Sequence, residues 1–380
     1  METVAVRRCE SYDQDKVDQA VSMAISDLGG IEQYVRPGDN VFLKINLLMS
    51  RRPEENVTTR PAVIEAVVKE IQSAGGKVVI GDSPGGPYNE KVLKTAYKVC
   101  GIEGIAKRTG AALNFDTSVA VIKSPLGKML KSITVIRPLA DADVVISVPK
   151  LKTHSLTTFT GAVKLMFGCI PGNLKAEYHV RMPEIKDFAD ALLDICIMTK
   201  PGLVIMDAIE AMEGNGPSGG SSRKLNCLLC SDNPFYIDGA AAQIIGLKTE
   251  EAPTIRSAIA RGIYNVENLR IVGDGIEQFI STDFKVPNKR EADMLSTRIP
   301  DFMKPFIKRY IKPKPEFNWD KCKGCGYCAD NCPPKAIVMI DGRPHVNTDK
   351  CIGCFCCQEL CMHKAVDIKR PWINKFIFFR

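Results

Sequence analysis

Hydrophobic and polar positions along the first 280 residues switch repeatedly between a period of two and a period near 3.6. Val4–Val6 reads as a short strand. From Asp13 to Leu28 the apolar residues Val17, Ala20, Val21, Ala24 and Leu28 share one helical face. Arg36-Pro37-Gly38-Asp39 is a turn into the strand Val41–Ile45. A helix follows over Arg60–Ala74, with Pro61 at its start and Gly75-Gly76 at its end. Lys77–Ile80 and Val144–Val148 are further strands. Thr158–Phe167 and Phe188–Met198 read as helices. Leu203–Met206 and Leu225–Leu229 read as strands, and Tyr236–Ile245 as a helix. Glycine-rich Glu213–Ser222 is expected to be a mobile loop suited to a lid.

This alternation predicts an α/β fold, a largely parallel sheet with flanking helices, followed by a small separate domain. The expected divisions are an α/β domain at 1–284, a basic proline-rich linker at 285–316, the small domain at 317–370 and an aromatic tail at 371–380. The linker holds one amphipathic basic helix near Phe302–Ile311, read as packing on a neighbouring domain. In open α/β sheets ligands bind beyond the carboxyl ends of the strands. Three polar segments, at Lys44–Asn46, Gly81–Gly86 and Lys150–His154, leave strand ends and are the first places to look for a pocket.

Composition narrows the class. The chain has 380 residues, 45% hydrophobic and 25% charged, with a formal charge of +7. That mild basicity suits a small anionic substrate or an acidic partner. Few aromatics are interleaved with Lys and Arg, so nucleic-acid binding is not expected. No run of 18 apolar residues occurs, and Met1–Glu10 lacks the apolar core of a signal peptide. A cytoplasmic protein that does not enter membranes is the expectation. Fifteen cysteines in such a chain point to metal ligation rather than disulfides.

Eight of those cysteines form two runs. Cys322, Cys325, Cys328 and Cys332 are spaced C-x2-C-x2-C-x3-C, and Cys351, Cys354, Cys357 and Cys361 repeat the spacing. Three thiolates on a tight loop can wrap one iron–sulfur cubane, and Gly324, Gly326 and Gly353 let the backbone bend around it. A pair of zinc knuckles is the bland alternative. The runs resemble the bacterial-type ferredoxin with two [4Fe–4S] clusters, which implies that the small domain is an α+β two-cluster ferredoxin-like domain. That resemblance implies crossed ligand sets: Cys322, Cys325, Cys328 and Cys361 for one cluster, and Cys351, Cys354, Cys357 and Cys332 for the other. Cys356 is an extra thiol, read as packed and not ligating. Cys9, Cys100, Cys196, Cys227 and Cys230 read as core thiols.

Polar chemistry is densest from Lys150-Leu151-Lys152-Thr153-His154, through Thr160–Lys164 and Gly168–Gly172, to Lys175, Tyr178 and His179. A polar loop followed by a helix would aim free N–H groups at an anion, with Lys150, Lys152 and Lys164 adding charge. His154 or His179 would donate protons. The plainer reading is a solvated basic loop with a satisfied histidine. Gly81-Asp82-Ser83-Pro84 could cradle phosphate, although a plain turn fits as well, and Asp82 could be a base, a metal ligand or only a helix cap.

The order of these segments resembles the family called domain of unknown function 362. So do Lys44-Ile45-Asn46, Gly81-Asp82-Ser83-Pro84 and the stretch from Asp232-Asn233-Pro234 to Asp238. That family is often fused to a two-cluster ferredoxin. The resulting expectation is an iron–sulfur oxidoreductase. Its two [4Fe–4S] clusters exchange electrons between a redox partner protein and a small anionic substrate. His154, Lys164 and His179 are the catalytic candidates, and Lys44, Asn46, Asp82, Ser83, Lys150 and Lys152 the binding candidates. A flavin is compatible with this reading, but no motif indicates one. The same residues also fit an electron-transfer adaptor without chemistry of its own, or a non-redox α/β enzyme with structural or regulatory clusters.

Overall fold

The computed structural model describes residues 1–287 and 313–369. The basic helix expected near 302–311 and the aromatic tail lie outside the described residues. The strands are β1 (Glu2–Arg8), β2 (Asn40–Ile45), β3 (Lys77–Gly81), β4 (Ala112–Leu113), β5 (Val119–Lys123), β6 (Ser132–Ile136), β7 (Val144–Val148) and β8 (Lys150–His154). They continue with β9 (Thr158–Thr160), β10 (Leu203–Glu213), β11 (Ser221–Ser231) and β12 (Leu269–Gly273). A ten-stranded sheet runs in the order β12-β1-β11-β10-β7-β2-β3-β4, with β8 paired to β10 and β9 to β8. Pairing is parallel from β10 through β7, β2 and β3 to β4, and antiparallel where β11 meets β1 and β10. β5 and β6 form a separate antiparallel ribbon.

Strand alternation divides the core into two layers. Val4 and Val6 pack into one, Ala5 into the other; Phe42 joins the first, Val41, Leu43 and Ile45 the second. Lys44 shares the parity of Phe42. The helices Gln14–Ser26 and Pro61–Ser73 cover the second layer, while Ile185–Thr199 and Pro234–Ile244 cover the first. Cys9, Cys100, Cys196, Cys227 and Cys230 are all buried, with Cys227 and Cys230 in opposite layers.

Two elements differ from expectation. The segment Lys150–His154 is a fully buried strand, not a polar loop. Its alternation gives Lys150, Lys152 and His154 one face and Leu151 the other. Burial is tolerable because Lys150 Nζ meets Asp207 Oδ2 at 2.8 Å and the Tyr12 hydroxyl at 2.7 Å. The expected helix over Thr158–Phe167 is instead β9, a one-turn helix at Ala162–Leu165 and a 3-10 turn at Met166–Cys169. Asp238 accepts from the Ala162 and Val163 amides at 2.6 and 3.2 Å. A Cβ on Gly161 would collide with that carboxylate, so the close approach requires glycine.

The small domain pairs β13 (Lys314–Phe317) with β16 (Val366–Lys369), and β14 (Ile337–Ile340) with β15 (Arg343–Val346). Its first strand therefore begins inside the segment expected to be linker. It docks beyond the carboxyl ends of β2 and β3. A Cβ on Gly85 would strike Leu360, and one on Gly86 would strike the Tyr327 hydroxyl. Loop 214–220 lies against the module rather than hanging free as a lid. Ser218 Oγ donates to the Gln358 carbonyl at 3.3 Å, and Asn215 Nδ2 to Asp367 Oδ1 at 3.0 Å.

Lys150→Met leaves the Asp207 carboxylate buried without its counter-charge. A loss of about 3–5 kcal/mol is expected. Chemical denaturation of anaerobically prepared protein measures it, and a change below about 1 kcal/mol would show that the pair does not hold the strand.

Candidate functional site

A cavity of about 290 Å³ lies between the α/β domain and the small module. The α/β wall comes from the ends of β2, β3 and β8 and from the segment Thr160–His179. The module wall includes Asp330, Cys332, Lys335, Cys356, Glu359 and Leu360.

One end of the cavity is fixed by a buried ion pair. Lys44 Nζ lies 2.8 Å from Asp82 Oδ1. The same carboxylate accepts from the backbone amides of Leu47 and Ser83, both at 2.7 Å. Asp82 is thus a fastener between two strand ends, with its acceptor capacity in use. Gly168 lies against the pair, and a Cβ there would come within 2.5 Å of Asp82 Oδ1. Ser83 Oγ accepts from the Gly172 amide at 2.8 Å and from Lys175 Nζ at 3.1 Å. Lys175 also donates to the carbonyls of Ser83 and Pro84 at 2.7 and 3.3 Å.

The other end gathers Lys152, His154, Lys164 and His179. His154 Nδ1 accepts from the Leu156 amide at 2.9 Å, so its proton sits on Nε2. That nitrogen lies 3.5 Å from Glu359 Oε2, a carboxylate of the module. Burial opposes ionisation of Glu359, but Lys164 and the hydrogen bond from His154 outweigh it and hold the carboxyl well below its usual range. His179 stacks on Phe188 at 4.5 Å, and burial lowers its pKa to about 4. Burial also lowers Lys152 to about 7 and Lys175 to about 8.

The structure therefore brings Lys44, Asn46, Asp82, Ser83, Lys152, His154, Lys164 and His179 to one cavity. It leaves Lys150 out. Its ammonium belongs to the Asp207–Tyr12 pair and not to the cavity lining. The expected helix terminus is not open to a ligand, because Asp238 takes the Ala162 and Val163 amides. Glu359, Lys335 and Lys175 were not among the sequence-based site residues. Lys175 lay in the dense polar stretch. Glu359 and Lys335 reach the cavity only through domain docking, which no local pattern encodes.

Two smaller cavities divide the eight motif cysteines. Cys322, Cys325, Cys328 and Cys361 line one, and Cys332, Cys351, Cys354 and Cys357 line the other. Each set takes three thiols from one run and the fourth from the other. Gly324, Gly326 and Gly353 all have positive φ at these loops. Among the described residues no three of His, Cys, Asp or Glu converge tightly enough to hold a single metal ion. Four sulfurs spread around a volume fit an iron–sulfur cluster better than one tetrahedral ion. Cys356 lies outside both sets and lines the large cavity instead. Cys332 lines both the second cysteine set and the large cavity.

The chain is similar to several known proteins. A thylakoid-associated protein, sll1697, of Synechocystis sp. is 32% identical over 271 residues, covering 69% of this chain and 80% of that protein. Among solved structures, the lactate racemase apoprotein of Thermoanaerobacterium thermosaccharolyticum aligns at a TM-score of 0.39 and 14% identity, over 63% of this chain and 56% of that one. A Thermotoga maritima protein aligns at 0.34 and 14%, over 54% and 53%. The chain thus spans little more than half the length of either solved protein. Residues 314–362 match the 4Fe-4S dicluster domain, which supports iron–sulfur electron transfer. Residues 41–243 match the family described as domain of unknown function (DUF362), and the chain belongs to that family.

Proposed function

We propose that this protein is an iron–sulfur oxidoreductase exchanging electrons between a redox partner and a small anionic substrate held between the two domains. The observation that carries the reading is Cys332, which lines both the second cysteine set and the large cavity. When bound, two [4Fe–4S] clusters held by the crossed cysteine sets supply one-electron transfer. The residues of the chain do the rest. Exposed Lys321 and Lys323, beside the exposed Cys325, offer a basic edge to an acidic redox partner. Lys164, assisted by Lys335, holds the substrate anion. His154 shares its Nε2 proton with Glu359, and that pair sits at the cavity wall as the proton-bearing group. Burial lowers the pKa of His179 to about 4, which favours a neutral imidazole stacked on Phe188 in the cavity wall.

Anaerobically prepared protein should contain about eight irons and eight sulfides per chain. Half that iron, or stoichiometric zinc, would overturn the two-cluster reading. Lys164→Ala should weaken retention of a small anion such as oxalate by roughly 10- to 150-fold with iron content unchanged. Isothermal titration checks it, and equal affinity in both proteins would remove Lys164 from the site.

His179 also sets a pH dependence. The unfolded chain takes up this proton near pH 6.5, whereas the folded protein resists it until about 4. The contribution is fully present above 6.5 and is lost as pH falls toward 4. Acidification from pH 7 to 5 should cost about 2 kcal/mol through this group. Denaturation of His179→Gln should show a correspondingly shallower acid loss, and an identical profile would contradict the neutral-imidazole assignment.

A further inference from the structure

The lysines around the cavity are compensated in different ways. Lys44 has the Asp82 carboxylate at 2.8 Å. Lys175 has three oxygen acceptors, which match the three N–H bonds of an ammonium. Lys164 interacts with the Glu359 carboxylate. Lys152 differs from all three. Its Nζ donates to the Val57 carbonyl at 2.5 Å and to Asn46 Oδ1 at 3.4 Å, and both acceptors are neutral. Two acceptors match the two N–H bonds of an uncharged amine and leave its lone pair unused.

Burial acts in the same direction. Lys152 is 3% exposed, and burial is the largest influence lowering its pKa, to about 7. Among the charges nearby, Glu359 acts most strongly and raises it, Lys164 lowers it, Asp82 raises it and Lys150 lowers it, so burial decides the direction. A desolvated lysine beside a second cation is a recognised way to make an amine nucleophilic. Lys152 forms part of the cavity wall alongside Lys164.

We propose that Lys152 is a nucleophilic amine that captures a small oxo acid as an imine, while Lys164 holds the carboxylate of the same molecule. This rests on the reading that Lys164 binds the substrate anion, and it names the substrate class. The step is balanced without a redox partner. The amine lone pair attacks the carbonyl carbon and a C=N bond replaces C=O. The carbonyl oxygen leaves as water with the two amine protons. Asn46 and Val57 position the amine and are not consumed.

The test uses anaerobically prepared full-length protein with glyoxylate or pyruvate and sodium cyanoborohydride, followed by peptide mapping. The expected result is a reduced adduct on Lys152 that forms on the order of 100-fold faster at pH 7 than on exposed lysines, whose amines are about one part in a thousand neutral there. Mapping the unaltered protein locates the adduct without relying on a variant. Lys152→Arg should lose it, and oxalate, which lacks the electrophilic carbonyl, should protect without forming one. If titration shows the oxo acid bound but no adduct maps to Lys152, imine capture is wrong and the anion site stands. If neither the oxo acid nor oxalate binds, both proposals fall.

Discussion

The cavity wall of the α/β domain depends on the buried contact between Lys44 and Asp82. It ties the end of β2 to the end of β3 with both side chains out of water. Removing one partner of such a pair leaves an uncompensated charge in the interior, which is far costlier than the pair itself. The Asp82 carboxylate also holds the first amides of two loops, and Gly168 packs directly on the pair. Ser83 and its bonds to Gly172 and Lys175 follow from that placement. A small residue at 168 and an acid at 82 are therefore one constraint expressed at two distant points of the chain.

The regular elements of the α/β domain were readable because their periodicity is a local property. The strands at Val4–Val6, Val41–Ile45 and Val144–Val148 and the helices beginning at Gln14 and Pro61 follow from apolar spacing alone. Lys150–His154 was misread for a physical reason. Alternating charged residues resemble a solvated loop unless one knows that Asp207, 57 residues after Lys150, waits in the adjacent strand. The capping of Ala162 by Asp238 has the same character. Sequence shows each charge but not its neutraliser, so buried ion pairs look like exposed polar segments.

Cysteine spacing was readable for a different reason. Ligand geometry is imposed by the group to be held, so short, fixed intervals carry information that side-chain packing does not. Cys332 and Cys361 line opposite cavities, as the resemblance to the two-cluster ferredoxin implies. Cys356 breaks no rule of the run yet faces the larger cavity, a placement that depends on how the module docks.

Docking also determines the charge the cavity presents. Of its lysines, Lys44 is matched by a carboxylate of its own domain, whereas Lys164 meets Glu359, which arrives only with the module. An undocked module would leave Lys164 and His154 without that carboxylate and open the cavity to water, where charge recognition weakens steeply. The absence of side chains at Gly85 and Gly86 allows Leu360 and Tyr327 to seat closely enough for Glu359 to reach His154. On the proposed reading, one docking event brings the electron-carrying cysteines to the cavity and completes its electrostatics. Substrate retention and electron delivery are then coupled through a shared interface, because the helix Cys356–Glu359 contributes both Cys357 and Glu359.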